Sequence, residues 1–398
     1  MKLHRALVQA VISTIEQIFV QGVYADKAVE QVLKQNAKWG SRDRRFIAET
    51  IYEMVRWWRL LGRSAGIENP KTQNEFWKLF AAKYIINNVE LPEWEEFSSI
   101  DKKEILENYD QAKQVRKYRE SIPDWLDDLG SKELGEAIWE KELAELNKEA
   151  KVVLRVNTLK TNLEELQQKL AEQNIETASV GEIGLILTKR QNLHQLNEYK
   201  QGLFEIQDAS SQLIAPFLQV EPGMTVIDAC AGAGGKSLHI AAMMKNKGKI
   251  ISMDVEERKL VELKKRADRA GVNIIQTQLI NDAIIHKFKN TADRLLLDVP
   301  CSGLGVLRRT PDAKWKLNPG FIDQVRKAQQ DIIYNYSQLL KPGGIMVYAT
   351  CSILPSENQL QVEHFLRSKQ GEFEMLGDRK VLPSEGFDGF YMCTFKKV

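Results

Sequence analysis

Leu295-Leu296-Leu297-Asp298-Val299-Pro300-Cys301-Ser302-Gly303-Leu304-Gly305 and Tyr348-Ala349-Thr350-Cys351-Ser352 decide the fold of this 398-residue chain. Each is a short apolar run of strand formers that ends in a polar turn, with a cysteine just past the strand. In an open α/β sheet ligands gather at the carboxyl ends of the strands, so two strands ending this way can hold two thiols over one pocket. A free cysteine is often only a small buried hydrophobe. Here Cys301 lies between Pro and Ser-Gly, and Cys351 between Thr and Ser, surroundings unlike a core position.

Outward from these stretches, the chain from about Val220 alternates strands with helices, the signature of βαβ units and a largely parallel sheet. The strands read as Val226-Ile227, Ile250 to Met253, Ile274-Ile275, Leu295 to Leu297 and Ile345 to Tyr348, with a final alternating strand from Phe390 to Phe395. Helices fill the gaps, notably Glu256 to Ala270 and Ile322 to Leu340, the latter ended by Lys341-Pro342-Gly343-Gly344. Before this region, Val152 to Val156, Gly184 to Leu187 and Leu203 to Ile206 read as strands around a helix from about Leu163 to Gln173, a small α+β unit. From Met1 to about Tyr118 apolar residues recur at three- and four-residue spacing, which predicts an all-α domain. The expected organisation is therefore a helical domain over 1–118, an α+β domain over 119–212 and an α/β catalytic domain over 213–398.

The first βα turn of the catalytic region is Asp228-Ala229-Cys230-Ala231-Gly232-Ala233-Gly234-Gly235-Lys236-Ser237. A phosphate-binding P-loop needs Gly where Cys230 stands, and a dinucleotide fingerprint needs Gly where Ser237 stands. An acidic strand end followed by a glycine turn fits S-adenosylmethionine: the turn lets backbone approach the ligand, and the helix start with Lys236 offers positive charge to its carboxylate. Asp254 ends the second strand, where a carboxylate can take both ribose hydroxyls. Arg258 follows one helical turn later, and Asp282, after the third strand, is placed for the adenine amino group.

Four cysteines with neither a C-x-x-C pair nor a histidine at ligand spacing argue against zinc and against a disulfide framework. Reduced thiols, no signal peptide and no apolar run of about 18 residues give the expectation of a cytoplasmic protein without membrane or metal. A formal charge of +2 announces no global field for a nucleic-acid partner, so any polyanion site must be local. Two clusters of charge with aromatics stand out: Lys38 to Arg45 with Arg56, Trp57, Trp58 and Arg59, and Arg308-Arg309-Thr310-Pro311-Asp312-Ala313-Lys314-Trp315-Lys316. The first reads equally well as a solvated helix face with its tryptophans turned inward. The second directly follows the cysteine loop, which makes Arg308 and Arg309 the candidate phosphate contacts.

The Asp228 to Ser237 loop, Asp298 to Gly303, Arg308 to Asp312, and Thr350-Cys351-Ser352-Ile353-Leu354-Pro355-Ser356-Glu357-Asn358 together resemble the RsmB/Sun family of RNA cytosine-5 methyltransferases. The likeness runs from Leu154-Arg155-Val156-Asn157 to Asp388-Gly389-Phe390, and the N-terminal region resembles more loosely the NusB-like helical domain of the rRNA-methylating branch. Where the family usually has Ala-Pro in the cofactor loop this chain has Gly232-Ala233, a change that removes no ligand group. The resemblance implies a Rossmann-like class I methyltransferase sheet, with S-adenosylmethionine held by Cys230, Ala231, Gly232, Ala233, Gly234, Gly235, Lys236, Asp254, Arg258, Asp282 and Asp298. It also implies Cys351 as nucleophile at carbon 6 of cytosine, Cys301 as the helper in releasing the methylated base, and Asp298 as the group that hydrogen-bonds and protonates the ring. The expected substrate is a splayed base of RNA, rRNA ahead of tRNA, and the protein is expected to act as a monomer. A non-catalytic RNA-binding or ribosome-assembly factor is the alternative of another class, against which the paired cysteines and the row of carboxylates argue.

Overall fold

In the computed structural model, residues 3–36 and 38–398 are described, and they divide into two compact units: the residues up to Lys148 with Leu307–Asn318, and Glu149–Val306 with Pro319–Val398. The helices Asp124–Leu134 and Glu136–Leu146 belong to the first unit, and so does the segment Leu307–Asn318, whose chain neighbours belong to the second.

The first unit is helical, built on a core of Val8, Val11, Ile12, Ile15, Ile47, Ile51, Met54, Phe76 and Phe80, all fully buried. These residues recur at three- and four-residue spacing, the stripe from which an all-α domain was expected. The segment Leu307–Asn318 is locked into this unit. The Trp315 indole N–H donates to the Val55 carbonyl (2.7 Å), the Asp312 carboxylate accepts the Ala25 amide (2.9 Å), and the Lys316 ammonium donates to the Val23 carbonyl (2.6 Å).

The second unit carries both sheets. The smaller is antiparallel, in the order β2-β3-β1-β4, from β1 (Val153–Val156), β2 (Thr177–Val180), β3 (Gly184–Leu187) and β4 (Phe204–Ile206). Leu154, Val156, Leu166, Leu170, Leu185 and Phe204 pack between it and the helix Leu163–Ala171.

The larger sheet has seven strands: β5 (Thr225–Asp228), β6 (Lys249–Asp254), β7 (Ile275–Leu279), β8 (Ala292–Asp298), β9 (Leu340–Thr350), β10 (Phe373–Val381) and β11 (Phe390–Lys397). Their order is β10-β11-β9-β8-β5-β6-β7, with β5 to β9 parallel and β10 and β11 antiparallel at one side. This is the expected Rossmann-like arrangement. Strand order reverses between β5 and β8, so the crevice for a ligand opens at the carboxyl ends of those two strands. Alternate residues serve the two faces: Ile227, Leu295, Leu297 and Tyr348 enter one core, and Val226, Leu296, Val347 and Ala349 the other. Burial on both faces is why β8 reads as an unbroken apolar run.

Two strands escaped the sequence reading, β2 and β10, and both are edges. An edge strand exposes much of its length and takes polar residues, as Glu374, Asp378 and Arg379 show in β10, so it lacks the alternation that marks a strand.

Candidate active site

The second unit gathers its functional groups where β5, β6, β8 and β9 end. The Asp228 side chain is buried: Oδ2 accepts the Ser237 hydroxyl (2.6 Å), and Ser237 lies 2.8 Å from the Ser252 hydroxyl of β6. Its second oxygen, Oδ1, is buried without a hydrogen-bond partner. Burial pushes the Asp228 carboxyl up to about 7, against the Ser237 hydrogen bond. Burial also pushes the Cys230 thiol up, with the charges of Asp228, Asp298 and Asp254 adding to it, so three strand-end carboxylates converge on the start of the glycine turn.

The turn itself is anchored at every side. Ala231 donates to the Met253 carbonyl (2.9 Å), and Gly232 donates to Asp254 Oδ2 (2.9 Å) while Asp254 Oδ1 accepts the Glu256 amide (2.9 Å). Arg266 donates to the Ala233 carbonyl (2.8 Å), and Arg155 of β1 to the Gly235 carbonyl (2.6 Å). Gly234 has φ +85°, and a Cβ there would lie 2.4 Å from Leu263 Cγ. Only glycine turns the chain at this point into the helix Gly235–Met243.

Lys236, in the first turn of that helix, ion-pairs with Asp298 at the end of β8. Burial alone would lower its pKa; the Asp298 carboxylate, with Cys351 and Asp228 behind it, raises it instead. The Lys236 ammonium therefore lies at the β8 end of the crevice, beside Asp298.

Past β8 and β9 the two cysteine loops meet. Cys301 Sγ and Cys351 Sγ lie 3.0 Å apart, both partly buried. The contact with Cys351 and burial push the Cys301 thiol well above its usual range. Backbone bonds join the loops: Val299 donates to the Ala349 carbonyl (3.0 Å) and Gly305 to the Cys351 carbonyl (2.9 Å). A Cβ at Gly305 would lie 2.2 Å from the Gly389 carbonyl oxygen and 2.8 Å from that of Cys351, so the side chain must be absent for the loops to close.

Other expected residues are exposed or already engaged. Arg258 is 76% exposed at its side chain and pairs with Glu256 (2.9 Å). Asp282 opens the helix Asp282–Lys287 and is exposed there, while Asn281 provides the cap. Arg308 is 5% exposed inside the first unit; its guanidinium donates to the Glu145 carbonyl (3.3 Å), and its own carbonyl accepts from Arg56 (3.0 Å). These bonds engage Arg308 within its own unit, at a position where a phosphate contact was expected. Arg309 is half-buried.

The sequence reading passed over other groups. Tyr336 closes the helix Pro319–Tyr336; burial raises its pKa, and the charges of Cys230, Asp282 and Asp254 raise it further. Lys259 Nζ stands 4.0 Å from Asp254 Oδ1. Helical spacing one turn from Glu256 could have found Lys259; nothing in the sequence ties Tyr336 to the site.

Residues 215–396 match the model of the 16S rRNA methyltransferase RsmB/F family, and residues 122–194 match that of the ferredoxin-like domain of RsmF/B-like methyltransferases. A Synechocystis protein named probable ribosomal RNA small subunit methyltransferase B is 31% identical over 94% of this chain and 96% of its own length. The chain belongs to the RsmB/F family. A second RsmB relative, from Bacillus subtilis, is 35% identical over 62% of this chain and 60% of its own. The RsmB/F fold is shared with two crystal structures: PH0851, with a TM-score of 0.84 and 22% identity over the full length of both chains, and a methyltransferase homologue from Pyrococcus horikoshii, with a TM-score of 0.63 and 26% identity over 71% of this chain and 98% of that one. Among the described residues no helix is long and apolar enough to cross a membrane, and no cluster of His, Cys, Asp and Glu is arranged to hold a metal ion.

Proposed function

We propose that this protein methylates carbon 5 of a cytosine in ribosomal RNA, using S-adenosylmethionine and a transient bond between Cys351 and the base. The observation that carries the reading is the 3.0 Å approach of Cys301 and Cys351 beside the Lys236–Asp298 pair. The relatives' names supply the ribosomal RNA.

The residues at the strand ends fit the cofactor. Asp228 keeps a buried oxygen without a partner, the Gly232 to Gly235 turn brings backbone close, and Asp254 stands where ribose hydroxyls would meet it, with Asp282 and Tyr336 beyond. When bound, S-adenosylmethionine supplies an electrophilic methyl group on a sulfonium.

Carbon 5 of cytosine is too weak a nucleophile to take that methyl unaided. Cys351 adds to carbon 6 as its thiolate, the electron pair of the carbon 5–carbon 6 double bond moves onto carbon 5, and carbon 5 takes the methyl. Asp298 hydrogen-bonds the base edge, and the Lys236–Asp298 pair provides the proton that ring nitrogen 3 needs as the sulfur adds. Cys301, held protonated by its surroundings, stands next to the carbon–sulfur bond that must later break. Loss of the carbon-5 proton then restores the double bond and expels the Cys351 thiolate.

Bisulfite sequencing of total RNA with and without the gene tests this. One protected cytosine in ribosomal RNA, lost on deletion, is expected. Protection lost only from tRNA would replace the substrate, and no change in either would contradict the activity.

A further inference from the structure

The mechanism above leaves one fully buried carboxylate unused. Glu357, in the single turn Pro355–Glu357 after the Thr350-Cys351-Ser352 motif, has 0% exposure and forms no ion pair among the described residues. Both of its oxygens are served by hydrogen-bond donors. Oε1 accepts the Ser302 and Ser352 hydroxyls, each at 2.5 Å, and Oε2 accepts the Ser302 amide (2.8 Å) and the Gln329 side-chain amide (3.0 Å).

Ser302 follows Cys301 and Ser352 follows Cys351, so the carboxylate grips the residue next to each thiol. We infer that Glu357 is the positioning residue of the thiol pair, a buried anion that ties the Cys301 loop to the Cys351 loop through Ser302 and Ser352 and thereby sets the distance between the two sulfurs.

Three further observations support it. The two serine hydroxyls lie 3.2 Å apart, within reach of one oxygen. Gln329 reaches from the helix Pro319–Tyr336 with one amide group to both Glu357 and the Pro300 carbonyl (3.0 Å), so the clamp extends to the residue before Cys301. Tyr348 of β9 donates its hydroxyl to the Glu357 carbonyl (2.7 Å), and the Asn358 amide donates to the Ser352 carbonyl (2.9 Å), which fixes the turn that presents the carboxylate.

A fold in need only of stability gains little here. Burying a carboxylate without a cation is costly, and an apolar filling of the same volume is commonly as good. What a carboxylate alone offers is several acceptor positions on one small group, enough to serve two loops at once. The Glu357 charge also contributes to holding the Cys301 thiol protonated, after the Cys351 contact and burial.

The inference rests on the proposed reaction for its purpose, but its geometry is testable without RNA. The full chain is treated with 4,4′-dithiodipyridine, which forms a mixed disulfide at one thiol; the neighbouring thiol then displaces the second thiopyridone and closes the Cys301–Cys351 disulfide. Closure is followed optically and the bond located by peptide mass mapping. In Glu357→Gln, which keeps the shape and loses acceptor capacity, closure is expected to slow at least about tenfold, since proximity sets the rate of such a step. Turnover of methyl transfer should fall with it while cofactor affinity and KM for RNA hold. Ser352→Ala, which cuts one tie and leaves the carboxylate in place, should slow closure by a smaller factor and provides the reading if the Gln variant does not fold. Closure at the wild-type rate in a folded variant overturns the inference, whatever the RNA assay gives. Normal closure in the wild type without any methyl transfer would instead contradict the proposed function and leave the clamp standing.

Discussion

Asp254 accepts the Gly232 amide at 2.9 Å, so the residue proposed to meet the ribose of the cofactor is also one that holds the glycine turn. Truncation at this position therefore removes a ligand contact and loosens the cradle together. Asp254→Ala should weaken S-adenosylmethionine binding by about 1.5–3 kcal/mol, the usual size for a hydrogen bond to a charged group. Asp254→Asn, which keeps an acceptor for Gly232, should lose less. Isothermal calorimetry reads both, and unchanged affinity in folded Asp254→Ala would remove Asp254 from the site.

Asp228 makes stability depend on pH. Burial raises its carboxyl to about 7 in the folded chain, whereas the unfolded chain ionises near 3.8. The folded state thus holds a proton that the unfolded state has released, and the sign follows: the contribution is complete below about pH 4 and is lost as pH rises through about 7. A shift of this size corresponds to about 4 kcal/mol over that window. Denaturant midpoints of wild type and Asp228→Asn, compared from pH 4 to 7, should differ by a slope that the variant lacks; parallel curves would show the carboxyl to be ionised throughout.

The two arginines after the cysteine loop should behave differently. Arg308 is buried against the Glu145 carbonyl, and its removal should destabilise the helical unit by about 1–3 kcal/mol without changing the salt dependence of RNA binding. Arg309 is half-buried, and Arg309→Ala should lower the slope of log affinity against log salt by about one if it meets a phosphate. A reduced slope in Arg308→Ala, with full stability, would reverse the assignment.

Much of this site was legible in the sequence because its residues end strands. Apolar runs locate the strands, and the polar residue that closes each run then falls at the rim where ligands gather, which is how Asp228, Asp254, Asp298, Cys301 and Cys351 could be read together. Other residues depend on partners that sequence distance hides. Trp315 reads as an aromatic beside a basic cluster until the Val55 carbonyl is found to be its partner. Arg258 follows Asp254 by one helical turn, but sequence spacing does not show that its side chain pairs with Glu256 at the surface. Glu357 sits inside the quoted motif, yet its task depends on Ser302, which lies 55 positions earlier.

The account stands most directly on the different places of the two thiols in one reaction, and trapping separates them. Purified wild type, Cys301→Ala and Cys351→Ala are each incubated with unmodified ribosomal RNA and S-adenosylmethionine and run on denaturing gels. If Cys351 adds to carbon 6 and Cys301 acts when the adduct collapses, Cys301→Ala accumulates a protein–RNA band that survives denaturation, and Cys351→Ala forms none and transfers no methyl group. A band in Cys351→Ala and not in Cys301→Ala would reverse the roles, and no band in either folded, cofactor-bound variant would contradict the covalent mechanism itself.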